Sequence, residues 1–199
     1  MVKEFMAIDY RAVLTQIQND SVYQKNILLG EPRRGHPEGT IGAHIAELEE
    51  NLEKLRGKLS ESEVDKLRLM IHVHDTLKPD AKEGVPISDP QSHATLACEF
   101  LARYCQDSSM LQMIQGHDEP YALYLQFKKR GECDAGRWQR LFETIDDWDL
   151  FQAFLIIDNC TRGKDRQSLT WFFEASALQV QTRWSVADFV CHETKKCKK

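Results

Sequence analysis

The stretch SESEVDKLRLMIHVHDTLKP, residues 60–79, carries the reading of this chain. It opens with Ser60 followed three residues later by Glu63, a pair in which each side chain can satisfy the other's free backbone N–H at a helix start. Leu67, Met70 and Ile71 then recur at helical spacing, and His74 continues their row. The helix should run to about Leu77, because Pro79 disfavours helical geometry in the residue before it. An imidazole is thus placed where a helix puts core, with Asp75 beside it. Burying an unpaired polar group costs roughly 2–7 kcal/mol, and burying a charge costs more.

The same conflict recurs along the chain. His44 sits between Ile41 and Leu48, and His93 opens the face of Ala97, Phe100 and Leu101. His117 continues Met110, Met113 and Ile114, and Asp158 continues Phe151, Phe154 and Leu155. Polar groups facing a core from several helices suggest a shared cation that offsets the cost. Imidazole nitrogen with carboxylate oxygen suits Mn, Fe, Co, Ni or Zn better than Ca, with Mg also admitted. Neighbouring helical side chains diverge by about 100°, so His74 and Asp75 either meet one ion from a shared rim or flank two.

Outward from this core the pattern is helical throughout, with no sustained alternation and no hairpin signal. Residues 8–28 predict one or two short helices, and Gly30–Gly39, with three glycines and two prolines, predicts a shaped turn. Ile41, Ile45, Leu48, Leu52, Leu55 and Leu59 define a long amphipathic helix. Residues 79–90 form a loop able to overhang a pocket. Helices are expected at about 91–106, 108–115, 119–130, 135–145 and 148–162. Helical spacing through Trp171, Phe172, Ala175 and Leu178 continues over about 167–189. The expected architecture is one all-α domain over 1–199, a helical bundle with a central metal pocket.

Composition narrows the function. Hydrophobic residues at 42% are enough for a core, and a net charge of −5 gives no support for a broad nucleic-acid surface. The longest apolar runs, such as Phe154–Ile157, are too short to span a membrane. The opening Met-Val-Lys-Glu-Phe has no apolar run fit for a secretion leader, so a cytoplasmic protein with reduced thiols is expected.

The ordered set from His44 through His74-Asp75 to Asp158, with Lys78 completing His-Asp-x-x-Lys, resembles the HD-domain metal-dependent phosphohydrolases. His36-Pro37-Glu38-Gly39 ahead of His44, and Asp158 followed by Arg162-Gly163, look like the HD domain of bacterial tRNA nucleotidyltransferases. The resemblance covers about residues 33–165, leaving 1–30 and 166–199 as helical decorations. It implies that His44, His74, Asp75 and Asp158 bind a first metal, and that His93 and His117 bind a second metal or the phosphate. It implies catalytic roles for Asp75 and Lys78, with Lys78 neutralising substrate phosphate. The implied reaction is hydrolysis of a phosphomonoester or phosphodiester, a nucleotide foremost, by a metal-activated water. Arg33, Arg34 and Arg162 are suited to phosphate by their forked guanidinium groups. The transferase part of the nucleotidyltransferases is absent, so CCA addition is not implied.

Two other functions stay open. Six ligands including both His93 and His117 also resemble the HD-fold di-iron oxygenases, such as myo-inositol oxygenase and the phosphonate-cleaving enzymes. A non-catalytic ligand-binding HD module is the other. The HD-GYP phosphodiesterases fit less well, since the Gly-Tyr-Pro element and the doubled histidine are missing.

Other residues receive plainer readings. His36 belongs to the turn and is not a ligand. His72 lies about 200° from His74 on a helix and is read as surface or as lying behind the ligands. Asp118 caps a helix beside Glu119. Glu47, Glu49, Glu50 and Glu53 form a solvated face, and Trp138, Phe142, Trp148 and Phe151 form core. Cys98, Cys105 and Cys160 read as core, and Cys191, His192 and Cys197 as a lysine-rich tail rather than a zinc site.

Overall fold

A computed structural model describes residues 8–192. They begin with α1 (Tyr10–Gln18) and α2 (Ser21–Asn26), then the turn segment, then α3 (Ile41–Leu55) and α4 (Glu61–Val73). After the 79–90 loop come α5 (His93–Ala102), α6 (Ser108–Gly116), α7 (Glu119–Arg130), α8 (Ala135–Thr144), α9 (Trp148–Asn159) and α10 (Gln167–Ser176). The described residues form an all-α bundle, with one isolated backbone bridge between Arg33 and His36. None of their helices is long and apolar enough to cross a membrane.

Short polar residues punctuate the bundle. Asp9, Asp20, Thr40, Ser60, Ser92, Asp107, Asp134 and Asp147 each accept backbone N–H groups at a helix start. Each such cap contributes about 0.5–2 kcal/mol. The Ser60–Glu63 pair is reciprocal, as its spacing predicts.

Every residue of α9 from Leu150 to Asp158 is buried, so this helix has no solvent face and forms the centre. Helices α3 and α4 pack against it, α1 covers α4, and the α5–α6 pair closes on α4 from the other side. Asn51 on α3 donates to the Ile157 carbonyl at 2.9 Å and ties α3 to the end of α9 that carries Asp158.

Several expected boundaries move. α4 stops at Val73 rather than Leu77, which leaves His74, Asp75, Thr76 and Leu77 in a tight turn. The helix expected through Leu59 ends at Leu55 and finishes in a 3-10 turn, Arg56–Lys58. α5 is shorter than 91–106, and α9 ends at Asn159. The largest difference lies over 167–189. α10 buries Leu169, Phe172, Phe173 and Ser176, so Ala175 and Leu178 lie off its packed face, and Leu178 is 99% exposed. The chain beyond runs as a strap whose Val180, Trp184 and Val190 are buried, with the Trp184 indole donating to the Asp149 carbonyl at 2.8 Å.

Candidate metal centre

His74 and His117 arrive by the same device. Each is the residue closing a helix, His74 on α4 and His117 on α6. The last carbonyls of a helix lack intrahelical partners. His74 Nδ1 donates to the Ile71 carbonyl at 3.1 Å, and His117 Nδ1 donates to the Ile114 carbonyl at 2.7 Å. Because a carbonyl only accepts, both protons sit on Nδ1, and both Nε2 atoms present a lone pair inward. Phe154 of α9 packs edge-on against both rings, with centroids 5.1 and 6.4 Å away.

Asp75 lies between these rings and divides its two oxygens. Oδ2 faces His44 Nε2 at 3.9 Å and His74 Nε2 at 3.4 Å, while Oδ1 faces His93 Nε2 at 3.9 Å and His117 Nε2 at 3.7 Å. Two groups, His44–His74–Asp75 and Asp75–His93–His117, therefore share one carboxylate, and each could hold a metal ion. Asp158 Oδ1 completes the first group, 3.1 Å from His44 Nε2 and 3.8 Å from His74 Nε2. The donor atoms fit a cation on their own evidence. His74 Nε2 and Asp75 Oδ1 are buried without a hydrogen-bond partner, an arrangement that costs about 1–3 kcal/mol per atom unless something else engages them.

Charge is concentrated at the same place. Glu38, Asp75, Asp118 and Asp158 are carboxylates met by two ammonium groups, Lys78 and Lys164, and by the imidazoles among them. Lys78 Nζ reaches Asp75 Oδ2 at 2.5 Å and Lys164 Nζ reaches Asp158 Oδ1 at 2.8 Å. Burial opposes ionisation of both aspartates, yet His74 and Lys78 hold Asp75, and Lys164 and His44 hold Asp158, well below the usual carboxylate range. Burial would lower His44 too, but its contacts to Asp158 and Glu38 outweigh this and push it up to about 9. His117 is raised against burial by Asp118 and Asp75, whereas burial prevails at His74 and lowers it.

The site floors an open cavity of about 560 Å³ roofed by the 30–40 and 79–90 segments. His44, Asp75, Lys78, His93 and Arg33 line it. Arg34 is exposed outside that lining, and Arg162 is turned away to Glu50 at 2.8 Å. The structure thus brings together His44, His74, Asp75, Lys78, His93, His117 and Asp158, with Arg33 at the mouth.

Three contributors escape the sequence reading. Asp118 makes no cap contact. Its Oδ2 lies 3.1 Å from His93 Nε2, and its side chain opens to the cavity. The signal was its place directly after His117. Glu38 Oε1 lies 2.9 Å from both His36 Nδ1 and His44 Nδ1, so His36 is a partner of the site and not merely a turn residue. Lys164 had no motif to announce it.

Other plain readings change as well. His72 is buried, bonded to the Tyr23 hydroxyl and 3.4 Å from Glu49, so it is not at the surface. The glutamates of α3 are not simply solvated: Glu47 is buried and accepts the Arg162 N–H, while Glu49 pairs with Arg68. His192 is docked on the Cys160 carbonyl at 2.8 Å; Cys197 lies outside the described residues. Cys105 and Cys160 are buried, while Cys98 is half-buried. No family model, curated protein or solved structure matches the chain.

Proposed function

We propose that this protein is a phosphohydrolase of the HD-domain kind, in which His44, His74, Asp75 and Asp158 would hold one divalent transition-metal ion and Asp75, His93 and His117 a second. The observation that carries the reading is the division of the Asp75 carboxylate between two histidine pairs. Such ions, when bound, lower the pKa of water and polarise phosphoryl oxygens.

The chain's own residues supply the rest. Lys78 stands beside Asp75 on the cavity wall, close enough to offset charge that develops on a phosphate ester. Asp75 Oδ2 is bonded to Lys78 and Oδ1 is buried between His93 and His117, positions that would suit a shared ligand better than a base. Asp118 opens to the cavity and is better placed to take the proton of the attacking water. The cavity mouth joins Arg33 and Lys82 to the apolar Leu29, Tyr121 and Leu125, a combination suited to a phosphate carried on an organic body such as a nucleotide.

The di-iron oxygenase is the second reading, favoured by the imidazole-rich donor set, which suits iron. Lys78 on the bridging carboxylate weighs towards phosphate chemistry. Elemental analysis of the purified protein, followed by assays for phosphate release and oxygen uptake, separates the two. Two divalent ions with metal-dependent phosphate release are expected. Two irons with oxygen uptake would install the oxygenase, and retained metal without turnover on either assay would leave a binding module.

A further inference from the structure

The loop ahead of α3 has a task beyond shaping the cavity wall. His74 and His117 are each set by a helix-end carbonyl behind Nδ1. His44 has no such carbonyl, because it lies in the first turn of α3, where the Thr40 carbonyl already accepts the His44 backbone N–H at 3.0 Å. Glu38 is placed for the vacant role: His44 Nδ1 is buried and makes no aligned hydrogen bond, and Glu38 Oε1 stands 2.9 Å from it, on the side of the ring away from Asp158. We infer that Glu38 is a positioning residue that accepts a hydrogen bond from His44 Nδ1–H and so directs Nε2 at the first ion, an inference that rests on the metal reading above.

The loop is built to hold that carboxylate still. Arg33 and His36 exchange backbone hydrogen bonds at 3.0 and 2.9 Å, and the Gly39 N–H returns to the His36 carbonyl at 3.3 Å. Gly30, at φ +116°, packs so closely that a Cβ there would meet the Gly39 carbonyl oxygen at 2.5 Å. Gly163, just past α9, lies so close to Pro37 that a Cβ would approach its Cδ to 2.7 Å. The mount of Glu38 is thereby locked to the segment that carries Asp158, so the two groups flanking His44 are fixed relative to each other. Glu38 itself is 9% exposed, and its Oε2 is buried without a partner, so its charge is directed inward rather than spent on solvent. His36 shares Oε1 at 2.9 Å and braces the carboxylate from the loop side. Groups that orient a ligating histidine in this way typically govern metal affinity by about 10–100-fold.

Zinc affinity by chelator competition tests the assignment without reference to turnover. It is measured in a His117→Ala background, where the His44 side is the one left with its full ligand set. Glu38→Ala should weaken zinc binding there by about 10–100-fold. Glu38→Gln, which keeps an oxygen acceptor for Nδ1, should recover part of the loss. In the otherwise native chain, Glu38→Ala should leave the ion at His93 and His117 at native affinity. Unchanged zinc affinity in Glu38→Ala overturns the assignment, and so does an equal loss at both ions in Ala and Gln variants alike, which would mark a collapsed loop. A native protein that binds no zinc, cobalt or manganese defeats the metal reading itself, a result distinct from either.

Discussion

The two halves of the site are built from the same donors yet differ in how they meet water. His44, His74 and Asp158 are enclosed by α3, α4 and α9, with Glu38 behind one ring and Lys164 on the carboxylate. Across Asp75, His117 is as buried as His74, but His93 is 20% and Asp118 41% exposed, and both line the cavity, which the first half reaches only through His44. Enclosure preserves the strength of charge interactions and limits exchange, while an open position leaves room for water and substrate. The first half therefore reads as the anchor of the centre, and the second as the half where substrate is met.

Asp75→Ala attacks the part common to both halves and carries the largest expected effect. Both ions should be lost, and hydrolysis should fall by about 10³-fold or more, since the ions would supply both the activated water and most of the charge stabilisation. Metal content by mass spectrometry under native conditions reads this directly. A variant that keeps two ions and full turnover removes the bridging role.

Unequal halves should then respond unequally. His74→Ala, which leaves only the ion on the open side, should surrender that ion to a weak chelator, whereas His93→Ala should keep the enclosed one. Dialysis against a weak chelator ranks them: equal retention by the two variants erases the distinction between anchor and open half. Phe154 supports both sides at once through its contacts to His74 and His117. Phe154→Ala should cost about 3–5 kcal/mol in chemical denaturation, as for a large side chain deleted from a core.

Acidity sharpens the comparison further. His44 without metal is pushed up to about 9 by Asp158 and Glu38, above the ordinary histidine value near 6.5. A group raised on folding stabilises fully below its unfolded pKa and loses that contribution as pH rises through the folded one. Metal-free protein should therefore lose stability between about pH 6.5 and 9, by a few kcal/mol at most. The metal-loaded protein should show no such loss, because its Nε2 is engaged by the ion rather than a proton. Denaturation midpoints of both forms across this range decide the matter, and parallel curves would remove His44 as the source.

Most of the centre was legible because a polar residue inside an apolar helical row breaks a strong pattern, and His44, His74, His117 and Asp158 all break one. The helix starts were legible for a similar reason, since Asp and Ser ahead of apolar periodicity have a local chemistry of their own. What escaped depends on contacts between distant segments. Glu38 meets His44 through a turn, Lys164 reaches back to Asp158, and Asp118 leaves its expected cap to face His93. The strap after α10 escaped because Ala175 and Leu178 have helical spacing on a side that packs against nothing, while the burial of Trp184 and Val190 is decided by α9 and its neighbours.

Arg162 supplies the smallest and most specific contrast. By residue type it suits phosphate as well as Arg33 does, and it sits only four residues beyond Asp158. The turn after α9 instead sends its guanidinium to Glu50 at 2.8 Å, with a longer 3.7 Å approach to the buried Glu47, which also takes its backbone N–H. The exposed pair with Glu50 contributes about 0–1 kcal/mol. Arg162→Ala should therefore shift stability by less than about 1 kcal/mol and leave KM for a phosphate ester unchanged, because the backbone bond to Glu47 survives the substitution. Arg33→Ala, at the cavity mouth, should raise KM several-fold with kcat nearly intact, the pattern of lost uniform binding. If Arg162→Ala raised KM instead, the substrate would have to extend past the end of α9, and the mouth beside Arg33 would no longer mark where it enters.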